Sequence, residues 1–259
     1  MLFAVSDIHS YYEPLISALK EKDFFASNDN KLVVIGDALD RGPDTKKVID
    51  LLLSLHSDGR LIYIKGNHED LLIDCLRDIS NGGIFEIACG MSHHYINKTF
   101  DSVLAIADMN ISQAMNLPME LVSRVVNSDY YKILLPSCLD FYETEKYIIT
   151  HGYIPIIAEG VMPYGKYKYD PDWRSSGAIA WRKARWLNGM EIACKHRITE
   201  PEKTVVVGHW HTSWGHSFIE RKCSEWGKDA DFSPFIADGI LAIDACTASS
   251  GKVNCIVLE

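Results

Sequence analysis

The sequence predicts an α/β fold with parallel strands. Three short apolar runs, at residues 2–5, 32–35 and 61–64, are each followed by a polar turn and then by a segment with helical spacing of apolar residues. Strands that alternate with helices in this way pack as parallel neighbours, joined by right-handed crossovers. The chain has 259 residues, of which 47% are hydrophobic and 24% charged. A chain of this length and composition can bury a sizeable core.

The helical segments follow the strands in order. The first is expected to begin near Glu13 and Pro14, because proline suits the first turn of a helix. The second is expected from about Pro43, and the third follows residues 66–70 and ends near Arg77. Each carries apolar residues at helical spacing. Together with the three strands they predict a βαβαβ arrangement.

The middle of the chain, at about residues 79–135, has no strand alternation and is expected to form an inserted helical cap, in which residues 111–126 are helical. Strands are predicted again at residues 147–149, 204–207, 241–243 and 253–258. The last two flank a turn-forming segment, which predicts a terminal hairpin. Residues 153–174, rich in Pro, Gly and Tyr, are expected to form a long ordered loop. No linker divides residues 1–259, so we expect a single domain.

Composition argues against several classes of function. The chain has 26 Lys and Arg against 35 Asp and Glu, a formal net charge of −9, which speaks against a protein that wraps nucleic acid. No apolar run approaches the roughly 18 residues of a membrane span, and the first residues do not resemble a secretory signal. Seven cysteines without a CxxC motif predict reduced thiols. We therefore expect a cytoplasmic protein with no membrane contact.

One glycine-rich stretch is interpreted as a chance match. Residues 160–166 fit the opening of a phosphate-binding P-loop pattern, but Tyr167 stands where Ser or Thr would be needed to hold Mg²⁺. No strong strand precedes the stretch, so the sequence does not favour a nucleotide-binding P-loop there.

Metal-binding side chains follow five predicted strands. In an open α/β sheet, residues at the carboxyl ends of the strands gather at one edge, so groups far apart in sequence can meet. Carboxylates and imidazoles suit first-row metals, and Asp37 has two oxygens with which it could bridge two ions. The set therefore predicts a two-metal centre. Its members are Asp7 and His9, Asp37 and Asp40, Asn67 and His68, His151, and His209 and His211.

The motifs that contain these residues resemble those of the calcineurin-like metallophosphoesterases. The matching segments are DIH at 7–9, GDALDRG at 36–42, GNHE at 66–69, HG at 151–152 and GHWH at 208–211. The DRG and GNHE forms are similar to the phosphoprotein phosphatase branch, above all to bacterial and phage members such as the lambda phosphatase. They are also similar to the symmetrical diadenosine tetraphosphate hydrolases. The resemblance implies a two-sheet α/β/β/α sandwich and leaves residues 79–135 and 153–174 uncovered.

The resemblance also implies a role for each site residue. Two first-row divalent or trivalent ions are implied, with Mn favoured and Fe, Zn and Co as alternatives. Ligands of the first ion would be Asp7 and His9, with His211 returning to it; Asp37 would bridge; ligands of the second ion would be Asn67, His151 and His209. Catalytic groups would be the acid pair His68 and Asp40, with Arg41 on a phosphate oxygen. A second phosphate-binding arginine would be Arg185, favoured by its W-x-x-x-R spacing, or Arg182.

Two positions depart from the family pattern. Ser10 stands where a glycine is usual, and Lys65 precedes GNHE where protein phosphatases often have arginine. Ser10 is therefore expected to crowd the substrate or to form a hydrogen bond with it.

The implied activity is hydrolysis of phosphomonoesters by in-line attack of a metal-bound hydroxide, with serine/threonine phosphoproteins as the leading substrate class. The first alternative is hydrolysis of a dinucleoside polyphosphate or another small phosphoester. A metal-binding scaffold without catalysis would not need the acid pair. A nuclease is disfavoured by Arg41 and by the acidic net charge. The oligomeric state stays open.

Overall fold

The computed structural model describes residues 1–159 and 166–259. The strands, in chain order, are β1 (Leu2–Val5), β2 (Lys31–Ile35), β3 (Leu61–Ile64), β4 (Phe141–Glu143), β5 (Tyr147–Thr150), β6 (Ile156–Glu159), β7 (Lys166–Tyr169), β8 (Thr204–Val207), β9 (Phe235–Ala237), β10 (Ile240–Ala242) and β11 (Cys255–Val257). The helices are α1 (Tyr12–Glu21), α2 (Thr45–Ser57), α3 (Asn67–Ser80), α4 (Ile84–Ala88), α5 (His93–Ile96), α6 (Thr99–Ala107), α7 (Ile111–Asn116), α8 (Pro118–Val126), α9 (Leu135–Ser137), α10 (Ala178–Ala184), α11 (Gly189–Cys194), α12 (Thr212–Phe218) and α13 (Thr247–Ser250).

Nine of these strands form two sheets. The first sheet has the order β11-β1-β2-β3, in which β1, β2 and β3 run parallel and β11 pairs antiparallel with β1. The second sheet has the order β4-β5-β8-β10-β9, with β5, β8 and β10 parallel between two antiparallel edge strands. The two parallel sets contain the five strands that precede the predicted ligands, and β1, β2 and β3 are parallel as the βαβαβ prediction requires.

Each sheet buries both faces, because side chains alternate along a strand. On β1, Phe3 and Val5 pack with helices α1 and α2 in one core, whereas Leu2 and Ala4 pack against the second sheet. On β8, Val206 reaches the core between the sheets, and its neighbours point outward to a core built with α10, α11 and α12. The layers are therefore helix, sheet, sheet, helix, which confirms the predicted fold class.

Residues 84–137 are almost wholly helical and pack beside the first sheet. Helix α6 contacts α3, α5 and α8, and a π-helical turn at Tyr130–Leu134 precedes α9. Buried residues of α6 such as Phe100 and Val103 join the core of the first sheet. The start of α6 thereby comes to lie next to the loop that follows β2.

Two expectations about the second half of the chain are wrong. Strands β10 and β11 do not form a hairpin: β10 lies in the second sheet and β11 pairs with β1 in the first. The stretch 153–174 is not simply a loop, because β6 and β7 pair as an antiparallel ribbon and a turn of 3₁₀ helix follows at Trp173–Ser175. The glycine-rich match at 160–166 falls, except for its last residue, outside the described residues.

Two further observations concern the described part of the chain as a whole. No helix within residues 1–159 or 166–259 has the length and apolar character needed to cross a bilayer. All seven cysteines lie within these ranges, and each is a free thiol.

Candidate metal centre

The loops after the strands hold several site residues in left-handed backbone. The φ angles are 50° at Asp7, 51° at His9, 53° at Asp37, 76° at Asp40 and 64° at His209. Such a conformation costs a non-glycine residue of the order of 1 kcal/mol, so it persists only where the surroundings impose it. The fold thus strains its backbone at the points where the predicted ligands leave their strands.

Close chain crossings explain two glycines beside the centre. A Cβ atom at Gly66 would overlap the carboxylate of Asp37, and a Cβ atom at Gly208 would overlap that of Asp7. The glycines of GNHE and GHWH therefore let one loop approach the carboxylate of another. This close approach brings the ends of β1, β2, β3 and β8 to one point.

Asp37 lies at the centre of the predicted ligands, and its two oxygens face different partners. Oδ2 is 3.9 Å from Nε2 of His9 and 3.8 Å from Nε2 of His68. Oδ1 is 3.3 Å from Nε2 of His151 and accepts a hydrogen bond of 2.9 Å from the backbone N–H of His68. This is the arrangement that a carboxylate bridging two ions would need.

Two groups of donor atoms share Asp37. One group contains His9, Asp37 and His68, the other Asp37, His151 and His209, and the donor atoms within each group lie within 4.8 Å of one another. Nδ1–H of His9 donates to the carbonyl of Leu39 at 3.0 Å, and Nδ1–H of His151 to that of Ile35 at 2.8 Å. Each ring is thereby fixed with Nε2 towards Asp37, as in metal-binding histidines.

The other predicted ligands lie around these two groups. Oδ1 of Asp7 is 3.9 Å from Nε2 of His9, and its Oδ2 accepts hydrogen bonds from the backbone N–H of His209 and from the Ser6 hydroxyl. Asn67 Oδ1 is 2.9 Å from Nε2 of His151. These contacts place Asp7 on the His9 side of the centre and Asn67 on the His151 side.

His211 is placed differently from the other predicted ligands. Its Nε2 lies 3.0 Å from Oε1 of Glu225, and it belongs to neither donor group found among the described residues. The ring is held by this carboxylate, which leaves Nδ1 as the nitrogen that a metal could use. The ligand role of His211 stays a prediction.

The charges at the centre fit cations. Burial and the neighbouring charge of Asp37 raise the pKa of Asp7 to about 6, and burial and Asp7 raise the pKa of Asp244 to about 8. Burial and His151 lower the pKa of His209 to about 3. Metal ions bind carboxylates in the ionised form and imidazoles in the neutral form. A cation beside Asp7 would offset the repulsion from Asp37 that raises its pKa, and His151, whose pKa burial would lower but Asp37 raises to about 10, would release its proton on binding. The donor set therefore fits two first-row ions.

The predicted acid pair is in contact. Nδ1 of His68 lies 2.6 Å from Oδ2 of Asp40, which also accepts a hydrogen bond of 2.7 Å from the Thr99 hydroxyl. The backbone N–H of Asp40 donates to Oγ of Ser102 at 2.9 Å. Nη2 of Arg41 is 3.3 Å from Nε2 of His68. Helix α6 therefore positions the pair, which sequence reasoning did not anticipate.

His68 is held in a charged environment. Burial alone would lower its pKa, but Asp37 and the hydrogen-bonded Asp40 outweigh burial, and the pKa is raised. Asp37 behaves in the opposite sense. Burial would raise its pKa, but His151 and His68 outweigh burial and hold the pKa well below the usual value.

Glu69 is a site residue that sequence reasoning missed. It is 1% exposed, and its carboxylate accepts hydrogen bonds from the backbone N–H groups of Gly66 at 2.7 Å, Asp37 at 3.0 Å and Ala38 at 3.1 Å, and from the Tyr63 hydroxyl at 2.7 Å. Glu at the third position of a helix that opens with a glycine cap is a signal for the contact to Gly66. Nothing in the sequence indicates the contacts to the Asp37 loop.

The two candidate phosphate-binding arginines are both paired with carboxylates. Arg185 is 5% exposed, and its guanidinium contacts Asp70 at 2.8 Å and Asp140. Arg182 contacts Asp74 and is about half exposed. Nη1 and Nη2 of Arg185 are thus engaged by carboxylates, whereas its Nε is buried and has no hydrogen-bond partner among the described residues. Which arginine binds phosphate stays a prediction.

Similarity to known proteins extends over most of the chain. A sequence profile of the calcineurin-like phosphoesterases matches residues 2–238. The asymmetrical bis(5'-nucleosyl)-tetraphosphatase of Anoxybacillus flavithermus is 33% identical over 75 residues, which are 26% of this chain and 31% of that protein. Serine/threonine-protein phosphatase 2 of Escherichia coli K12 is 36% identical over 73 residues, 28% of this chain and 31% of that protein. The matches thus span less than a third of these relatives.

Among solved structures, a cold-active protein-tyrosine phosphatase of a psychrophilic Shewanella species aligns with a TM-score of 0.49 at 15% identity. The alignment covers 97% of this chain and 73% of that one.

Proposed function

The chain belongs to the calcineurin-like phosphoesterase family, and from this premise we propose that it hydrolyses phosphomonoesters at a two-metal centre. The observation that carries the proposal is Asp37, whose two oxygens face separate sets of imidazole nitrogens on the His9 side and the His151 side. The acid pair His68 and Asp40 stands beside it, with Arg41 adjacent. A protein that only bound metal would have no use for this pair.

We propose the ligands that the motifs imply. One ion would be held by Asp7, His9 and Asp37, with His211 as a further ligand. The other would be held by Asp37, Asn67, His151 and His209. Bound first-row ions act as Lewis acids and lower the pKa of water towards neutrality. We propose manganese as the metal, with iron, zinc or cobalt as alternatives that the same donor atoms accept.

The remaining chemistry belongs to the chain itself. Nδ1 of His68 is occupied by Asp40, so its Nε2 is the atom that can donate a proton to the leaving oxygen. Asp40 fixes the orientation of this ring. Arg41, whose guanidinium lies beside His68, would bind a phosphoryl oxygen through charge-assisted hydrogen bonds. Arg185 would contribute to the same anion, either through its unpartnered Nε or through a nitrogen released from Asp70 or Asp140.

Two classes of substrate are proposed. The DRG and GNHE motifs, with the serine/threonine-protein phosphatase of Escherichia coli, favour phosphoserine and phosphothreonine in proteins. The tetraphosphatase of Anoxybacillus flavithermus favours a dinucleoside polyphosphate.

The test is a parallel assay of the Mn²⁺-loaded full chain. A panel of phosphoserine and phosphothreonine peptides is compared with diadenosine tetraphosphate, and phosphate or nucleotide release is measured. We expect hydrolysis of at least one class and none without metal. Strong preference for the dinucleotide, which is cleaved at a phosphoanhydride, would contradict the phosphoprotein assignment. Failure of metal-loaded protein to hydrolyse either class or a small phosphomonoester would contradict the proposed activity.

A further inference from the structure

The six tryptophans of the chain differ sharply in burial. Trp173, Trp181 and Trp214 are 0%, 2% and 7% exposed, which is the usual condition of a core indole. Trp186 and Trp226 are 50% and 52% exposed. Leaving half of so large an apolar side chain in water forfeits much of the stabilisation that its burial would bring. Packing alone therefore accounts for the first three but not for the other two.

Both half-exposed indoles lie against histidines that are predicted metal ligands. The ring of Trp186 is 5.6 Å from that of His209 with the planes at 86°, and the ring of Trp226 is 4.3 Å from that of His211. The ring of Trp210 contacts both histidines. It is 6.4 Å from the ring of His209 and 6.1 Å from that of His211, on which it is stacked with the planes at 27°. We call Trp186, Trp210 and Trp226 the aromatic rim.

The rim comes from three separate stretches of chain, and local hydrogen bonds hold each end of it. The backbone N–H of Trp186 donates to the carbonyl of Lys183 at 3.1 Å. The carbonyl of Trp226 accepts from the Ser224 hydroxyl at 3.0 Å, and that of the preceding Glu225 accepts from the Ser213 hydroxyl at 2.8 Å. These hydrogen bonds fix the backbone that carries Trp186 and Trp226 beside the predicted metal ligands.

We propose that the aromatic rim binds the planar ring of the group esterified to the phosphate, and that this ring is a nucleobase. The inference rests on the proposed phosphoesterase activity and selects a nucleotide as its substrate class. In a nucleotide, a sugar joins an anionic phosphate to a flat base. The phosphate would bind at the proposed metal site, and the base would reach the aromatic rim. Every base has a π face that stacks on an indole without need of sequence-specific hydrogen bonds. A phosphoserine offers no ring at that position.

Adenosine 5'-monophosphate and ribose 5-phosphate form a matched pair of probes, because both are esters of the same primary hydroxyl and differ by the base. For the Mn²⁺-loaded chain we expect kcat/KM to be about 10-fold higher or more with the base present. In the double variant Trp186→Ala, Trp226→Ala the ratio of kcat/KM for the monophosphate to that for ribose 5-phosphate should fall to about one, through a higher KM for the monophosphate. Phe25→Ala, which removes an exposed aromatic ring between α1 and β2, should preserve the preference.

Phenyl phosphate separates a nucleobase from a simple aryl ring. If the native chain prefers phenyl phosphate to ribose 5-phosphate but shows no preference for the nucleotide, and the double variant loses the preference for phenyl phosphate, the nucleobase assignment is overturned. Equal kcat/KM for the matched pair in the native chain, unchanged by the double variant, overturns the aromatic rim as a binding site while leaving the phosphoesterase activity intact.

A second readout needs no activity. Adenosine, which has no phosphate, should quench the tryptophan fluorescence of the native chain saturably, and the double variant should lose this response. Saturable quenching without hydrolysis of any phosphoester would support the rim and contradict the proposed function. Absence of saturable quenching in a chain that shows no preference for the nucleotide would overturn the rim.

Discussion

The two sheets contribute to the centre in different ways. From the first sheet come Asp7, His9, Asp37, Asn67 and His68, each no more than 3% exposed. From the second sheet His151 is fully buried, but His209 and His211 are only partly buried and stand beside the half-exposed indoles. The first sheet thus holds its predicted site residues in a closed network, whereas His209 and His211 from the second sheet lie partly at the surface.

The carboxylates behind the two sides show the same contrast. Glu69 is buried and bonds to three backbone N–H groups of the loops that carry Gly66 and Asp37. Glu225 lies on the long segment between α12 and β9, its side chain is 24% exposed, and it meets the centre through one contact, to His211. The buried Glu69 thus fixes the loops of the first sheet, whereas the orientation of His211 on the second sheet depends on a surface segment.

The largest expected effect is on turnover. His68→Asn removes the proposed proton donor from the first side while leaving the backbone N–H that bonds to Asp37. We expect kcat to fall by about 10²- to 10⁴-fold, the usual contribution of a positioned general acid. Steady-state kinetics on a phosphomonoester measures the loss, and metal analysis of the same sample should show two ions retained.

Metal content decides how this result is interpreted. His68 belongs by distance to a donor group with His9 and Asp37. Loss of one ion in His68→Asn would make His68 a ligand and contradict its role as an acid. His56→Asn, on the last turn of α2, is the control and should keep both rate and metal.

The second effect concerns stability on the first side. Glu69→Gln leaves at least one buried backbone N–H without its acceptor, since a side-chain amide has one oxygen where the carboxylate has two. We expect the free energy of unfolding in urea to fall by about 3 kcal/mol. The substitution also weakens the hydrogen bonds that hold the Asp37 loop, so we expect metal affinity to fall as well.

Glu200 provides the matched control on the second side. It is 7% exposed and accepts hydrogen bonds from Tyr169 at 2.7 Å, Trp173 at 2.9 Å and Arg174 at 2.8 Å, all of them side chains. Glu200→Gln should reduce stability to a similar extent but leave metal affinity unchanged. Equal loss of metal in both variants would show that metal affinity falls because the chain is less stable, and not because the hydrogen bonds from Glu69 to the Asp37 loop are lost.

A third, smaller effect tests the second side. Glu225→Gln weakens the contact that orients His211, and such outer partners of metal-binding histidines are worth about 10- to 100-fold in affinity. Titration with Mn²⁺ under competition from a chelator measures this. Glu220 is the control, because it also contacts a histidine, His216 at 2.7 Å, with a side chain 23% exposed. If Glu225→Gln binds metal like Glu220→Gln, His211 is not an oriented ligand.

Much of the first side could be predicted from sequence. Strands β1 and β3 end where the apolar runs end, and parallel pairing then brings Asp7, Asp37 and Asn67 to one edge. The fold class and the strands that end in ligands therefore follow from local patterns. Each predicted ligand follows its strand through a short loop, so motifs that are far apart in the sequence are enough to predict which residues meet.

The rest depends on contacts that no local pattern encodes. Thr99 and Ser102 bond to Asp40 across 59 and 62 residues. The predicted terminal hairpin failed because the turn-like residues near Gly251, whose φ is 66°, end helix α13 and do not join two paired strands. A turn signal shows that the chain changes direction, but not which sheet receives the next strand. The half-exposed tryptophans were likewise indistinguishable in sequence from core residues.

The smallest effect lies at the outer edge of the second sheet, where exposed ion pairs replace the buried network of the first. On β4, Glu143 accepts hydrogen bonds from Arg174 at 2.7 and 2.9 Å and from Lys203 at 2.8 Å. These cations lower the pKa of Glu143 from its usual value of 4.5 to about 2. Because the pKa is lower in the folded chain, the pairing stabilises it above pH 4.5 and is lost as the pH falls towards 2.

Solvent screening keeps this contribution small, since the side chain of Glu143 is 26% exposed and that of Arg174 is 37% exposed. We expect Glu143→Gln to lower the free energy of unfolding by about 1 kcal/mol at pH 7. The difference from the native chain should shrink between pH 4.5 and pH 2, because over this range the unfolded chain takes up a proton on Glu143 while the folded chain still holds it ionised. Glu145→Gln, at an exposed neighbouring position, should show no such trend. If the difference in the free energy of unfolding stays constant with pH, Glu143 stabilises β4 through packing and not through its charge.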